Sequence, residues 1–233
     1  MNQILLSQAL WGLTGLACLT FATAAHAARP LATDDTGVLD RGDCEVEAVL
    51  ARDKADGVRT NGRSLQLGCG VGAGTQLALG VDRAESEGSR VRGTALSAKV
   101  ALLPGEAASW SASGGLSWAS VPGEARRHAA SAVNLLHTRS MGQPFTLHAN
   151  LGHARDEVAR SAATTWGVAL EHAGWGPVAL MGELIGDDLV PPSWNLGLRW
   201  TVDSISGVLD MAYGQQLVSG RPRALSVGLK FAF

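Results

Sequence analysis

Beyond residue 27 the chain contains no apolar run approaching the roughly 18 residues that a membrane-spanning helix requires. Charged residues make up only 17% of the sequence, aromatic residues 5%, and the formal net charge is -2. Lysine is scarce, and no stripe of Lys and Arg interleaved with aromatic residues occurs. That pattern excludes a nucleic-acid partner. Although glycine is abundant, no Gly-rich loop is followed by the Lys that a phosphate cradle needs, so nucleotide chemistry is set aside as well. The six histidines are scattered, and Asp34-Asp35 and Asp187-Asp188 are isolated acidic pairs in turn-like sequence. Neither has the ligand spacing of a metal centre, so no metal and no cofactor are expected.

The first 27 residues lack Asp, Glu, Lys and Arg altogether, carry the apolar run Leu10 to Phe21, and end in Ala25-His26-Ala27 before Ala28-Arg29-Pro30. This is the pattern of a signal peptide cleaved after Ala27, which places the mature chain in an exported compartment. Two alternatives stand beside it. The first ten residues lack the usual basic side chain, which leaves room for an uncleaved anchor. Cys18 would be the acylated residue of a lipoprotein, although Gly15 stands where a large aliphatic residue is normally needed.

What the mature part does have is alternation. Segments of about ten residues switch between apolar and small or polar side chains, and turn chemistry separates them. Twelve are expected: Asp43–Arg52, Arg63–Gly72, Thr75–Ala84, Arg92–Leu103, Ser109–Ser120, Ala129–Arg139, Phe145–Ala154, Ala163–His172, Pro177–Gly186, Trp194–Val202, Gly207–Gln216 and Ala224–Phe233. In the last of these, Leu225, Val227, Leu229, Phe231 and Phe233 share one face while Ser226, Gly228, Lys230 and Ala232 share the other, because successive side chains point to opposite sides of a strand. That segment resembles the C-terminal strand of bacterial outer-membrane β-barrels, which commonly ends in an aromatic residue. The resemblance implies that Phe233 is the insertion signal read by the barrel-insertion machinery.

An even strand count suits a closed antiparallel barrel whose termini share one side. The expected fold is therefore all-β: a closed antiparallel transmembrane β-barrel of about twelve strands, with short periplasmic turns and longer outer loops. Its organisation is a signal peptide over 1–27, a periplasmic N-terminal segment or plug over 28–42, and the outer-membrane barrel over 43–233. Trp110 and Trp118, eight positions apart, share the lipid phase of one strand, and eight steps along a tilted strand rise about 20 Å, close to the height of a barrel's apolar band.

The opposite phase is polar. Lumen-lining candidates are Glu45, Glu47, Asp82, Lys99, His148, Glu171, Glu183, Arg199, Asp210 and Lys230. A dry core could not accept these groups unpaired. Six carboxylates face three fixed cations in that set, so a pore lined by them would slightly favour cations. Arg29 to Asp40, polar and turn-rich, would sit on the periplasmic mouth or enter it. Cys44 and Cys69 fall opposite each other if the first two strands pair about a turn near Gly57. An oxidising periplasm permits a disulfide there; two inert thiols are the alternative.

The run Arg29-Pro30-Leu31-Ala32-Thr33-Asp34-Asp35-Thr36-Gly37, followed by Cys44-Glu45-Val46-Glu47, resembles proteobacterial outer-membrane proteins near the transporter-like family named for the MetA pathway of phenol degradation. The resemblance implies an outer-membrane barrel passing small, in part hydrophobic, molecules; it carries no binding residue onto this chain. Outer-membrane lipid and lipopolysaccharide are expected surroundings, and a small-molecule solute the expected cargo.

Some outer-membrane barrels are lipid-modifying enzymes. A His and Ser on one strand face need a spacing of two, whereas His128 with Ser131 and His137 with Ser140 are spaced by three, so no catalytic residue is named and no enzyme is expected. The functional expectations are, in order, a narrow channel or transporter for small solutes, a structural or surface barrel without transport, and a lipid-modifying barrel enzyme.

Overall fold

The structure, a computed structural model, describes residues 31–218, 220 and 222–233. The leader expected over Met1–Ala27, its cleavage and its two alternatives lie outside the described residues. Twelve strands follow one another: β1 Cys44–Ala55, β2 Val58–Gly72, β3 Thr75–Ser86, β4 Ser89–Leu103, β5 Ala108–Ser120, β6 Arg127–Ser140, β7 Phe145–Asp156, β8 Ser161–Trp175, β9 Val178–Asp187, β10 Ser193–Val202, β11 Gly207–Gln216 and β12 Arg223–Ala232. Each pairs antiparallel with its neighbours in sequence. β1 pairs with β12 from Glu45↔Ala232 to Lys54↔Arg223, which closes the sheet into a barrel.

The outer wall is apolar and uncovered. Leu50 is 65%, Val133 61% and Leu196 60% exposed, and Leu77, Leu79, Val168 and Leu170 stand on the same outside face. So extensive an exposed apolar surface is the mark of a wall made for hydrocarbon. Aromatic residues ring it at two levels. Trp110, Phe145, Trp175 and Trp200 lie near the strand ends on the side of the termini, and Trp118, Trp166, Trp194 and Tyr213 lie near the opposite ends. Three histidines belong to these rings: His137 stacks on Trp110 at 4.3 Å, His172 contacts both Phe145 and Trp175, and His128 lies beside Trp118. His128 and His137 therefore sit on the lipid side, with ring nitrogens at the Ala130 and Ser109 carbonyls.

Several strands run further than the alternation alone indicated. Asp53 to Gly62, expected as an outer loop, is almost entirely paired, and the connection shrinks to Asp56-Gly57 with φ of 49° and 86°. Glu85 to Arg90 shrinks in the same way to Glu87-Gly88, with φ of 44° and 81°. Two consecutive positive φ values define the tight turn whose twist matches a hairpin, so the ladder continues above the apolar band. The longer connections on that side are 121–126, 157–160, 188–192 and 217–222. On the side of the termini the turns are 73–74, 104–107, 141–144, 176–177 and 203–206.

β1 and β2 pair in the register Cys44↔Cys69, Val46↔Leu67 and Ala48↔Leu65. Cys44 and Cys69 are disulfide-bonded across that pair, which ties the first residue of β1 to the wall.

Because the apolar wall meets hydrocarbon, a charge placed mid-height on it is expensive. Leu79→Arg, at the centre of the apolar outward run of β3, is expected to lower unfolding stability in lipid vesicles by about 2–4 kcal/mol. Ala78→Ser, buried on the inward face of the same strand where the Ser97 hydroxyl already reaches the Ala78 carbonyl, should cost less than that. Denaturant titration, followed by the mobility difference between folded and unfolded forms on a cold detergent gel, measures both.

Candidate functional site

The interior of the barrel is where chemistry-bearing side chains meet. Strand phase sends alternate residues inward, and their contacts run from wall to wall. Glu45 and Lys230, on the paired strands β1 and β12, lie 3.4 Å apart. Arg199 on β10 donates from Nε to Asp210 Oδ1 on β11 at 3.1 Å, and its Nη1 lies 3.9 Å from Glu171 Oε2 on β8. That same Glu171 oxygen is 3.8 Å from His148 Nε2 on β7, whose Nδ1 contacts Thr138 Oγ1 at 3.0 Å. His148, Glu171, Arg199 and Asp210 thus form one polar chain along the inner wall. Asp82 also turns inward, its carboxyl lying over Gly93 of β4, and Glu47 is on the inward phase of β1 with Glu45.

The remaining two candidates, Lys99 and Glu183, are engaged by a part of the chain that is not barrel. Residues 31–43 lie inside the cylinder with no regular secondary structure over most of their length. Backbone groups away from water must find partners, and here wall side chains supply them. Glu183 Oε1 accepts the Ala32 N–H and Oε2 the Thr33 N–H, each at 2.7 Å, while Asn195 donates to Oε1 at 2.6 Å. In the orientation that satisfies both partners, the Asn150 amide accepts from the Asp34 N–H at 2.6 Å and donates to the Asp34 carbonyl at 2.9 Å. Lys99 Nζ donates to Asp34 Oδ1 at 2.8 Å and to the Asp35 carbonyl at 3.1 Å. Lower down, Thr138 accepts the Thr36 N–H at 3.1 Å, Ser111 donates to the Thr36 carbonyl at 2.7 Å, and Gln76 accepts the Leu39 N–H at 3.2 Å.

The segment enters beside β2 and climbs. Gly42 N–H bonds the Gly70 carbonyl at 3.0 Å, and a Cβ on Gly70 would stand 2.0 Å from the Asp40 carbonyl oxygen, so only glycine lets the chain pass there. Higher up, a Cβ on Gly167 would stand 2.6 Å from Thr33 Oγ1. At its upper end Leu31 is buried against Ala169, Ala179 and Met181. Glu183 and Asn150 are each the sixth residue of their strands, so the segment fills the barrel from the side of the short turns to about mid-height. Gln76, Ser109, Ser111, Thr138, Asn150 and Asn195 complete this seat, and nothing in the local sequence marks them as partners of the segment. A Ser, Thr or Asn on the inward phase carries no local sign of which distant backbone it will meet.

Charge in the seat is uneven. Burial pushes the Asp34 carboxyl up to about 7, against the pull of the Lys99 ammonium. Asp34 Oδ2 has no hydrogen-bond partner among the described residues, which is where a proton would sit. Asp35 is held below the ordinary carboxylate range, against the desolvation that opposes it, by Lys99 and by the Gly37 N–H at 2.6 Å.

A closed, even-numbered antiparallel barrel, greasy outside, belted by aromatics and polar within, defines the membrane β-barrel class. The family model described as "Uncharacterised conserved protein UCP029691" matches residues 15–233, and the chain belongs to that family. No curated protein matches the sequence at a significant level. Among solved structures, the fold is similar to a KdgM porin in complex with disordered oligogalacturonate (14% identity, TM-score 0.62, covering 81% of this chain and 99% of that one). It is similar also to the COG4313 outer membrane channel from Pseudomonas putida F1 (10% identity, TM-score 0.62, 85% and 98%). A third likeness is to the NanC porin (7% identity, TM-score 0.56, 80% and 98%). At these identities the likeness is one of fold.

The Asp34 carboxyl gives the seat a pH dependence of definite sign. Its value is raised from 3.8 to about 7, so between those values the seated segment holds a proton that the released segment does not, and seating weakens as pH rises through that window. Asp35, shifted the other way, acts only below it. Unfolding temperatures of wild type and Asp34→Asn are therefore expected to be closest near pH 4 and to diverge toward pH 8, with wild type losing ground. Gel-shift melting across that range measures the difference.

Proposed function

We propose that this protein is an outer-membrane channel for small solutes, with residues 31–43 holding its inner half closed until they move. The observation that carries this reading is how the segment is held. Five of its backbone N–H groups, those of Ala32, Thr33, Asp34, Thr36 and Leu39, are satisfied by wall side chains. Each such bond can be exchanged for water or for a polar solute at a net cost of about 1 kcal/mol, or about 1.5–3 where the partner is charged. A wall built only to be filled would favour apolar packing, which costs no desolvation of charge.

The electrostatics favour cations or neutral solutes. Each fixed cation of the wall is occupied by a carboxylate: Lys99 by Asp34, Arg199 by Asp210 and Lys230 by Glu45. One neighbour is described in complex with an oligogalacturonate, a polyanion, and the paired cations here argue for a different solute. Kinship to the transporter-like family named for the MetA pathway of phenol degradation belongs to the same reading and rests on the segment Arg29–Gly37 with Cys44–Glu47. So does the non-enzymatic role, supported by the placement of His128 and His137 among aromatic residues on the outer wall. A surface barrel without transport is the second reading, favoured by the number of groups that hold the segment in place.

Planar-bilayer recording separates the two. Wild type is expected to give rare or small conductance steps. Glu183→Ala, which strips the acceptor from two backbone N–H groups and weakens seating by about 3 kcal/mol or more, is expected to give steps at least tenfold more frequent. Deletion of residues 31–40 should leave the pore continuously open, with a reversal potential in a potassium chloride gradient that reports cation preference. Silence from the folded deletion variant would refute the channel.

A further inference from the structure

The lipid-facing surface of β2–β4 carries a charge pattern that the lumen does not explain. Arg63, Arg83 and Arg92 are direct register partners on three adjacent strands, Arg63↔Arg83 and Arg83↔Arg92. All three lie on the outward phase, in the row immediately above Leu65↔Val81↔Thr94, which itself ends beside Trp118 of the upper aromatic ring. Cross-strand neighbours of this kind stand about 5 Å apart, and like charges set opposite each other destabilise a sheet. A fourth guanidinium joins them: Arg126, from the 121–126 connection, folds down to donate to Thr94 Oγ1.

The local carboxylates do not balance this cluster. Glu85 bonds Arg83 and also Arg90, the latter at 2.9 Å, so one carboxylate serves two guanidinium groups. Arg63 and Arg92 have no ion-pair partner among the described residues. On the same rim Arg155 is matched by Glu157 at 2.7 Å and Arg127 by Glu124 at 3.9 Å. The Arg63, Arg83 and Arg92 row lies just above the apolar rows of β2–β4, at the level where hydrocarbon gives way to headgroups, on the side away from the termini.

We propose that Arg63, Arg83, Arg92 and Arg126 form a binding site for the phosphate groups on the sugar headgroup of lipopolysaccharide in the outer leaflet. The planar guanidinium fork matches a phosphate in two-point contact, and several forks on one face can grip the phosphates of one large headgroup while its acyl chains lie along Leu65, Val81 and Leu79 below. An anion there turns the repulsion among the arginines into attraction. The proposal rests on the outer-membrane placement of the barrel, and not on whether the lumen conducts.

The test uses the full mature chain folded in detergent, with lipid binding read by native mass spectrometry and by the gel-shift melting temperature. The probes are diphosphorylated lipid A, lipid A stripped of both phosphates, phosphatidylglycerol and inorganic phosphate. Diphosphorylated lipid A is expected to bind and to raise the melting temperature, with the dephosphorylated form and inorganic phosphate giving little of either. The triple variant Arg63→Gln/Arg83→Gln/Arg92→Gln should bind it about a hundredfold more weakly, while Arg127→Gln/Arg155→Gln binds as wild type does. Should the triple variant fold poorly, Arg92→Gln alone should lose about fivefold. Equal binding by wild type and the arginine variants, or equal binding of the two lipid A forms, would overturn the site. Preference for phosphatidylglycerol over lipid A would overturn the choice of lipid. Recovery of the protein outside the outer-membrane fraction would instead sink the placement, a result that the binding data cannot produce.

Discussion

The seam between β1 and β12 is the interaction on which the rest depends. In hydrocarbon an unpaired backbone N–H or C=O has no water to turn to, so a sheet with a free edge cannot remain there. The ten register pairs from Glu45↔Ala232 to Lys54↔Arg223 remove that edge and turn eleven hairpin contacts into a continuous ring. Once the ring is closed, the strand period of two sorts every residue between two solvents. Leu50 and Val227, register partners across the seam, face outward together, and Val49 with Gly228 face inward.

Much of this was legible because lipid outside and polar groups inside leave a periodic trace. The phase of Leu225 to Phe233 and the register that sets Cys44 opposite Cys69 could both be read from spacing, whereas spacing left open whether the two thiols are joined. What spacing did not convey was where the ladder stops. Alternation fades at Arg52 and Arg63, where the outward residues become charged, and the chain there looks like a loop; yet pairing continues to Ala55↔Val58. Asp56-Gly57 was the available signal, since this dipeptide is among the strongest for a two-residue hairpin turn, and it fixes the turn regardless of the polarity around it. The charged outward residues are outside the apolar band rather than outside the sheet.

The internal segment was harder still. Its polar, turn-rich composition suited either the mouth of the barrel or its interior, and composition cannot choose between them. Two glycines choose. At Gly70 the passing chain comes so close that any side chain would overlap the Asp40 carbonyl, and at Gly167 Thr33 occupies the space of a missing Cβ. In a strand, glycine weakens pairing, so an inward glycine in mid-strand is a place where something else needs the room. The acceptor for the upper end, Glu183, lies 150 residues from Thr33, and no local pattern distinguishes it from a carboxylate meant for solvent.

The seat also shows why a polar lumen and a bound segment suit each other. Glu183 would be costly to bury alone; taking two N–H groups from Ala32 and Thr33 and one from Asn195 satisfies most of its lone pairs without a counter-cation. Lys99 is covered in turn by Asp34, and burial makes that carboxyl retain a proton close to neutrality. The segment is therefore held by groups that want partners of some kind rather than this partner in particular. A wall with such needs binds its own chain when nothing else is present and loses little when a polar solute or water takes the same positions. Apolar packing is confined to the tip, where Leu31 meets Ala169, Ala179 and Met181, so most of the holding energy is of the exchangeable kind. Closure of this barrel is in that sense a competition between an internal peptide and whatever else can satisfy Glu183, Asn150 and Lys99.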